Sequence, residues 1–578
     1  MAEARRLAGA GRNGEALAAC DRALTDRPDD PDLLNLAAAA AWGMGDAGRA
    51  LPYLDRAMAA HPGHADAYVT LGVILETYGR LDEAANAYRA ALEADGERVT
   101  AYLNLGNVLM RQGAAGQAIP VYDQALAREP LNVDALNNKG LALKETGRLD
   151  EAERLLRQAV GAQPGYAPAW TNLGLVLRLA KRPDEALAAY ERALALDPSS
   201  IKALNNLAVL KRWRGELEEA EALCRGILET HPDVVETLNN LGDILQAQGR
   251  VDEAEALFRR VLELAPDHAE GHHNLAVLLL LKGDLKAGWA HYEWRWLAKD
   301  FPSERRNFPK PLWRGEDLAG RTILLYVEQG LGDAVQFVRY APRVAARGGR
   351  VIVECPPVLK RLFETLDGVA QVIARGDALP AFDVQCPFLS LPGILSPDLA
   401  SIPAATPYVH PDPSDGKTWR ERLSGVSGKK VGLAWAGSPH HTNDRERSVP
   451  LSRLEPLSRV PGCTLFSLQI GESARQLADI DFPVADLTGD IGDYADTAAF
   501  IDQLDLVVTV DTSVAHVAGA LGRPTWVMLP HAPDWRWMLD RDDTPWYPNM
   551  RLYRQESRRD WDGVLARLTA DLERFCND

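Results

Sequence analysis

Prolines recur at Pro28, Pro62, Pro130, Pro164, Pro198, Pro232 and Pro266, at intervals of 34 residues, or twice 34 where Gly96 takes the proline position. Ala50, Ala84, Ala118, Ala152, Ala186, Ala220 and Ala254 keep the same beat, as do the small residues Gly72, Gly106, Gly140, Gly174, Ala208, Gly242 and Ala276. A fixed period of this length means a stack of supersecondary units rather than one closed core. Within one unit, Trp170, Leu173, Leu177, Tyr190 and Ala193 recur at helical spacing, and the proline ends the second helix. Such a unit cannot bury its apolar face alone, so its neighbours must cover it.

The unit APAWTNLGLVLRLAKRPDEALAAYERALALDP, Ala167 to Pro198, resembles the tetratricopeptide repeat. Eight phased units are expected from the chain start to about residue 300. The first lacks its opening residues, and the last is degenerate, with Gly288, Tyr292 and Arg295 but no proline. Asn104, Asn138, Asn172, Asn206, Asn240 and Asn274 form a column on the first helix of successive units. In a tetratricopeptide superhelix that part of the helix lines the concave groove. Side-chain amides there can donate to and accept from an extended peptide backbone, which resembles the asparagine ladder of the O-linked N-acetylglucosamine transferases. The alternative is that the asparagines tie adjacent units together.

The periodicity stops near Ala298. Residues 301–320 are rich in proline and charge and read as a linker. From Thr322 the pattern is strand, glycine turn, helix, strand, and it restarts at Lys430. This predicts two Rossmann-like lobes, residues 321–415 and 416–578, after a solenoid over 1–300. Ligands in such sheets bind beyond the carboxyl ends of the strands.

EQGLGDAVQFVRYAP and DTSVAHVAGALGRPTWVMLP resemble the two signatures of GT-B glycosyltransferases of the heptosyltransferase type, in the version fused to tetratricopeptide repeats. GSPHHTNDRERSVPL and PDWRWMLDRDDTPWYPNMRLYRQ resemble segments of the repeat-fused members, some of which glycosylate bacterial flagellins. The resemblance implies an inverting, metal-independent protein O-glycosyltransferase. Asp333 would be the general base that deprotonates the acceptor hydroxyl. Gln329, Gly332, Gly437, Arg445, Arg447, Ser448, Asp511, Thr512, Ser513 and His516 would hold the donor. Thr512 and Ser513 open a helix whose free N–H groups suit a phosphate, His516 and the two arginines would neutralise it, and Ser513 stands where the family usually has glycine. No cofactor is implied beyond a nucleotide-sugar co-substrate, a CMP-nonulosonic acid in flagellin systems of this type, with ADP-heptose or UDP-hexose as alternatives. The acceptor would be flagellin in the repeat groove. A glycan-directed enzyme and a non-catalytic scaffold are the competing readings.

The net charge of −17 argues against general nucleic-acid binding. The six cysteines show no CxxC spacing, so neither a zinc site nor a redox pair is expected. Asp540-Arg541-Asp542 follows a tryptophan-rich loop rather than a strand and reads as surface charge. Trp535, Trp537 and Trp546 either shape a pocket or pack the core. No apolar run has the length of a membrane span, and a cytoplasmic location without membrane insertion is expected. A fragment beginning near Phe301 is expected to keep donor binding.

Overall fold

The computed structural model describes residues 1–299, 301, 303, 305–396, 398–439 and 443–577. His440, His441 and Thr442 of the loop after Gly437, and Pro302 and Glu304 of the expected linker, lie outside the described residues. The chain forms two compact units, Met1–Thr230 and His231–Asp578.

The first unit is a helical solenoid. Among the described residues it holds seven helical pairs, from Ala2–Gly9 with Asn13–Asp26 through Ile201–Arg214 with Leu217–Thr230. Two further pairs, Val235–Ala247 with Val251–Leu264 and Ala269–Leu281 with Leu285–Tyr292, belong to the second unit. The described residues thus carry nine pairs where the phasing counted eight. The small-residue column acts as expected. A Cβ on Gly174 would stand 2.5–3.0 Å from the ring of Tyr190, so only glycine lets the two helices of that unit close. The turn inside each unit uses a second glycine column that the proline beat hides: Gly11, Gly45, Gly79, Gly113, Gly147, Gly215, Gly249 and Gly283 all have φ between 72° and 85°. Lys181 occupies the same place at φ 59°.

Among the described residues the α/β half contains two parallel sheets. The first runs β3-β2-β1-β4, with β1 Thr322–Tyr326, β2 Arg350–Cys355, β3 Val369–Ala374 and β4 Val384–Pro387. The second runs β10-β9-β8-β5-β6-β7, with β5 Lys429–Ala434, β6 Cys463–Ser467, β7 Ala485–Asp486, β8 Leu506–Val510, β9 Thr525–Leu529 and β10 Met550–Arg554. In each sheet the strand order reverses beside one strand, at β1/β4 and at β5/β8. Such switch points open a crevice outside the carboxyl ends of the strands.

The last repeats are built into this unit. Ala276, Leu280, Leu285, Trp289 and Tyr292 share one buried core with residues of both sheets, including Ile323, Leu325, Val507 and Val527. The expected linker is also structural. Trp313 is fully buried, Leu312 bridges to Gln385, and Phe308 packs on Tyr326 and Phe382.

Candidate functional site

The two signature motifs meet. β1 leads through Val327, Glu328 and Gln329 into the helix Leu331–Phe337, and β8 leads through Asp511 and Thr512 into the helix Ser513–Ala520. Gly332 makes the contact possible, since a Cβ there would lie 2.9 Å from His516 Cδ2 and 3.5 Å from Ser513 Cα. Both motifs follow a strand that stands at the switch point of its sheet; the sequence reading placed them at the carboxyl ends of strands.

Asp333 is fixed from both sides. Its Oδ2 accepts from the Gly330 N–H at 3.0 Å, closing the helix N-terminus, and its Oδ1 pairs with Arg536 Nη2. Arg536 also binds Asp534 at 2.6 Å and stacks on Trp535. Burial would discharge this guanidinium, but the Asp333 and Asp534 carboxylates more than offset that and hold it charged. Sequence reasoning missed Arg536, which lies 203 residues from Asp333. Its place within the WRW of the tryptophan-rich loop was the available signal.

Asp511 directly follows β8 and is half-buried. Burial and the nearby Asp534 carboxylate push its carboxyl up to about 6, against the pull of Arg447 and Arg536. The donor-side residues separate. The Gly437 N–H donates to Ser448 Oγ at 3.0 Å, and that hydroxyl donates to Asp444 at 2.9 Å. Arg447 and Asp444 fill the space a Gly437 side chain would take. Arg447 is half-buried and its field reaches Asp511 and His516, whereas Arg445 is exposed. Ser513 Oγ lies 2.7 Å from the Tyr494 hydroxyl. Gln329 donates to the Tyr292 hydroxyl at 3.0 Å, which orients it toward the last repeat rather than the crevice.

His516 differs from the expectation of a phosphate ligand. It is buried, its Nδ1 lies 3.0 Å from the Tyr547 hydroxyl, and it stacks on Trp537. Burial, with Arg536, Arg339 and Arg447 nearby, holds it well below the usual histidine range, so it is neutral. It packs the contact between the two motif helices. Trp535, Trp537 and Trp546 are core residues, with Trp535 edge-on to Trp289 at 5.3 Å. Asp540 and Asp542 are exposed.

A second charged centre was not anticipated. Arg295 of the degenerate repeat is fully buried and gives Glu328 two hydrogen bonds, at 2.6 and 3.1 Å, with Ser390 Oγ at 3.0 Å and Glu293 at 2.9 Å. Burial pushes the Glu328 carboxyl up to about 7, and Arg295 pulls it down. Arg295 stands where the repeat spacing places it, but its partner is in the first motif of the α/β half.

In the repeats the asparagines bond mainly to each other. Asn138 donates to Asn107 at 2.8 Å, Asn137 to Asn138 at 2.9 Å, Asn172 to Asn137 at 2.7 Å, and Lys202 to Asn172 at 2.9 Å. In the second unit Asn274 donates to Asn239 at 3.1 Å. Asn104 reaches the Tyr88 hydroxyl. Asn206 and Asn240 are half-buried, and among the described residues Asn240 Nδ2 has no hydrogen-bond partner. Asn172 is 1% exposed, so the expectation that it faces an open groove is corrected. There the column ties adjacent units.

A family profile described as the C-terminal domain of cilia and flagella-associated protein 70 matches residues 77–278, and a tetratricopeptide-repeat profile matches 41–107. Protein FlbA of Caulobacter vibrioides is 27% identical over 324 residues, 51% of this chain and 54% of FlbA. The chain thus spans about half the length of this curated relative. The solved structure of PilF from Pseudomonas aeruginosa is 26% identical, covering 36% of this chain and 95% of that one, with a TM-score of 0.31. YrrB, described as a TPR protein with an unusual peptide-binding site, is 23% identical, covering 33% of this chain and 97% of that one, with a TM-score of 0.26. Among the described residues no helix is long and apolar enough to cross a membrane. The helical half of this chain is a tetratricopeptide solenoid, and it continues into an α/β half of two parallel sheets.

Proposed function

We propose that the α/β half transfers a sugar from a nucleotide donor to a hydroxyl of a protein held by the repeats. The observation that carries this reading is the meeting of the two motif helices at the switch points of two parallel sheets, with Asp333 on one side and Asp511 and Arg447 on the other. Asp333 would take the acceptor proton. The N-terminus of the helix Ser513–Ala520, with Arg447, would receive the donor phosphates. A CMP-nonulosonic acid donor and a flagellin acceptor follow from the family resemblance. The test is turnover by the pure full chain. Hydrolysis of CMP-nonulosonic acid, and labelling of flagellin serine or threonine read by mass spectrometry, are the expected results.

One observation favours a second reading. Both Asp333 oxygens are engaged, by Gly330 N–H and by Arg536, as they would be in a transferase fold kept as a scaffold. Absence of hydrolysis with CMP-, ADP- and UDP-sugars, together with retained acceptor binding, would establish that reading.

A further inference from the structure

The six cysteines carry no disulfide, and they differ in access. Cys20, Cys224, Cys355 and Cys386 are buried, whereas Cys463 and Cys576 are half-buried. These two meet, although they lie far apart in the chain and their spacing predicts no redox pair. Cys463 is the first residue of β6, and Cys576 lies in the last turn of the C-terminal helix Trp561–Asn577. A Cβ on Gly462 would stand 3.8 Å from Cys576 Cβ, and the two thiols hydrogen-bond to one another. A disulfide needs side chains that approach and face each other in this way. Cys463 Sγ also donates to the Val460 carbonyl at 3.4 Å. Lys429 pairs with Cys463 across β5 and β6, and its ammonium lies 5.0 Å from the ring centroid of Phe575, the residue before Cys576.

These surroundings separate the two sulfurs. A carbonyl can accept from a thiol but gives nothing to a thiolate, so Val460 holds Cys463 protonated. Burial and the Cys576 sulfur push the Cys463 thiol up to about 12. Burial raises Cys576 too, but the Cys463 hydrogen bond and Lys429 pull it back, so Cys576 ionises first. We propose that Cys463 and Cys576 form a redox-active dithiol that closes to a disulfide by exchange with a low-molecular-weight disulfide. The Cys576 thiolate attacks one sulfur of that disulfide, whose S–S bond breaks and releases one thiolate. A mixed disulfide then stands on Cys576. Cys463 gives its proton to the departing thiolate, attacks the Cys576 sulfur, forms the S–S bond between them and expels the second thiol. The protein loses two electrons and two protons, and the co-reactant is reduced to two thiols. The new bond ties the last helix to the amino ends of β5 and β6, at the opposite end of the sheet from the crevice. Chain termini open first unless they are tied down, so the disulfide holds this helix in place. The transferase reading is not needed for this inference.

The test is incubation of the folded full chain with oxidised glutathione between pH 7 and 9, followed by thiol titration, intact mass and peptide mapping. The expected result is loss of two thiols, no retained glutathione, and one cross-linked peptide pair joining Cys463 to Cys576. Dithiothreitol should reverse it, and the rate should climb with pH as the thiolate fraction grows. Hydrogen exchange over residues 561–577 should slow in the oxidised chain. Cys463→Ser should trap a glutathione adduct on Cys576, and Cys576→Ser should leave Cys463 at least tenfold slower to react. Mapping of the native chain needs no variant, so the central result stands even if a serine variant misfolds. Thiol loss without that cross-link, a stable glutathione adduct on the native chain, or no reaction at either sulfur would overturn the proposal. Equal rates of adduct formation in the two serine variants would overturn the order of attack.

Discussion

Asp333→Asn keeps the shape of the side chain and removes its capacity to accept a proton. If the cleft is catalytic, turnover should fall by about 10²-fold or more, the usual contribution of a positioned base. Donor affinity by calorimetry should stay near native. Near-native turnover would remove Asp333 from that role. The two loop arginines now make distinct predictions: Arg447→Ala should weaken CMP binding severalfold, because the half-buried Arg447 acts on Asp511, and Arg445→Ala should change it less, because Arg445 is exposed. Two histidines give a pH signature. His273 is held down to about 4 by burial and Arg295, and burial with the nearby arginines holds His516 well below its ordinary value. A group whose native pKa is depressed must take up a proton on unfolding below about pH 6.5, so stability falls as pH drops from there toward 4. Glu328, pushed up to about 7, works in the opposite sense, losing its contribution as pH rises. Urea denaturation from pH 7.5 to 5 should therefore show a shallower acid loss in His273→Gln than in the native chain. Parallel curves would mean that His273 is not neutral in the folded state. The sequence placed Asp333 by its motif, yet could not show Arg536 or the burial of His516, because both depend on a contact between distant motifs.

At the level of helices and turns, most of the repeat was legible. The proline, alanine and glycine columns report where helices end and where two must touch, and these are local requirements written into each unit. The conformation of the intra-unit turn was less visible, although its glycine column has the same period. Lys181 breaks that column and adopts φ 59°, a left-handed conformation that costs an L-residue about 1–2 kcal/mol. Glycine removes the strain but adds freedom to the unfolded chain, worth about 0.5–1 kcal/mol. Lys181→Gly should thus leave stability equal or raise it by up to about 1.5 kcal/mol, read as the urea midpoint of the solenoid. A loss beyond that would show that the Lys181 side chain makes a contact that matters. The asparagine column was visible too, but its meaning was not. A 34-residue spacing is the same whether an amide faces a peptide or the next repeat, and only burial separates Asn172, which is enclosed, from Asn206, which is partly open.

The division of the whole chain is where sequence and structure part. Composition changes sharply near residue 300, because the amphipathic repeat pattern ends there. Compactness follows burial instead, and burial joins the last two repeats to the α/β half. Trp289 and Tyr292 lie in the core of that half, and Arg295 neutralises Glu328 inside it. A fragment beginning at Phe301 would leave Glu328 as an unpaired buried carboxylate, a loss of about 3–5 kcal/mol for breaking a buried pair, before counting the exposed aromatic surface. That is comparable to the total stability of many domains. A fragment beginning at His231 keeps every one of these contacts. We therefore expect residues 231–578 to melt cooperatively by circular dichroism and to bind CMP, and residues 301–578 to aggregate or melt without a sharp transition. Arg295→Met in the longer fragment should reproduce part of that loss. If instead residues 301–578 fold and bind nucleotide as well as residues 231–578 do, the final repeats are an attachment to the α/β half, and its fold does not depend on them.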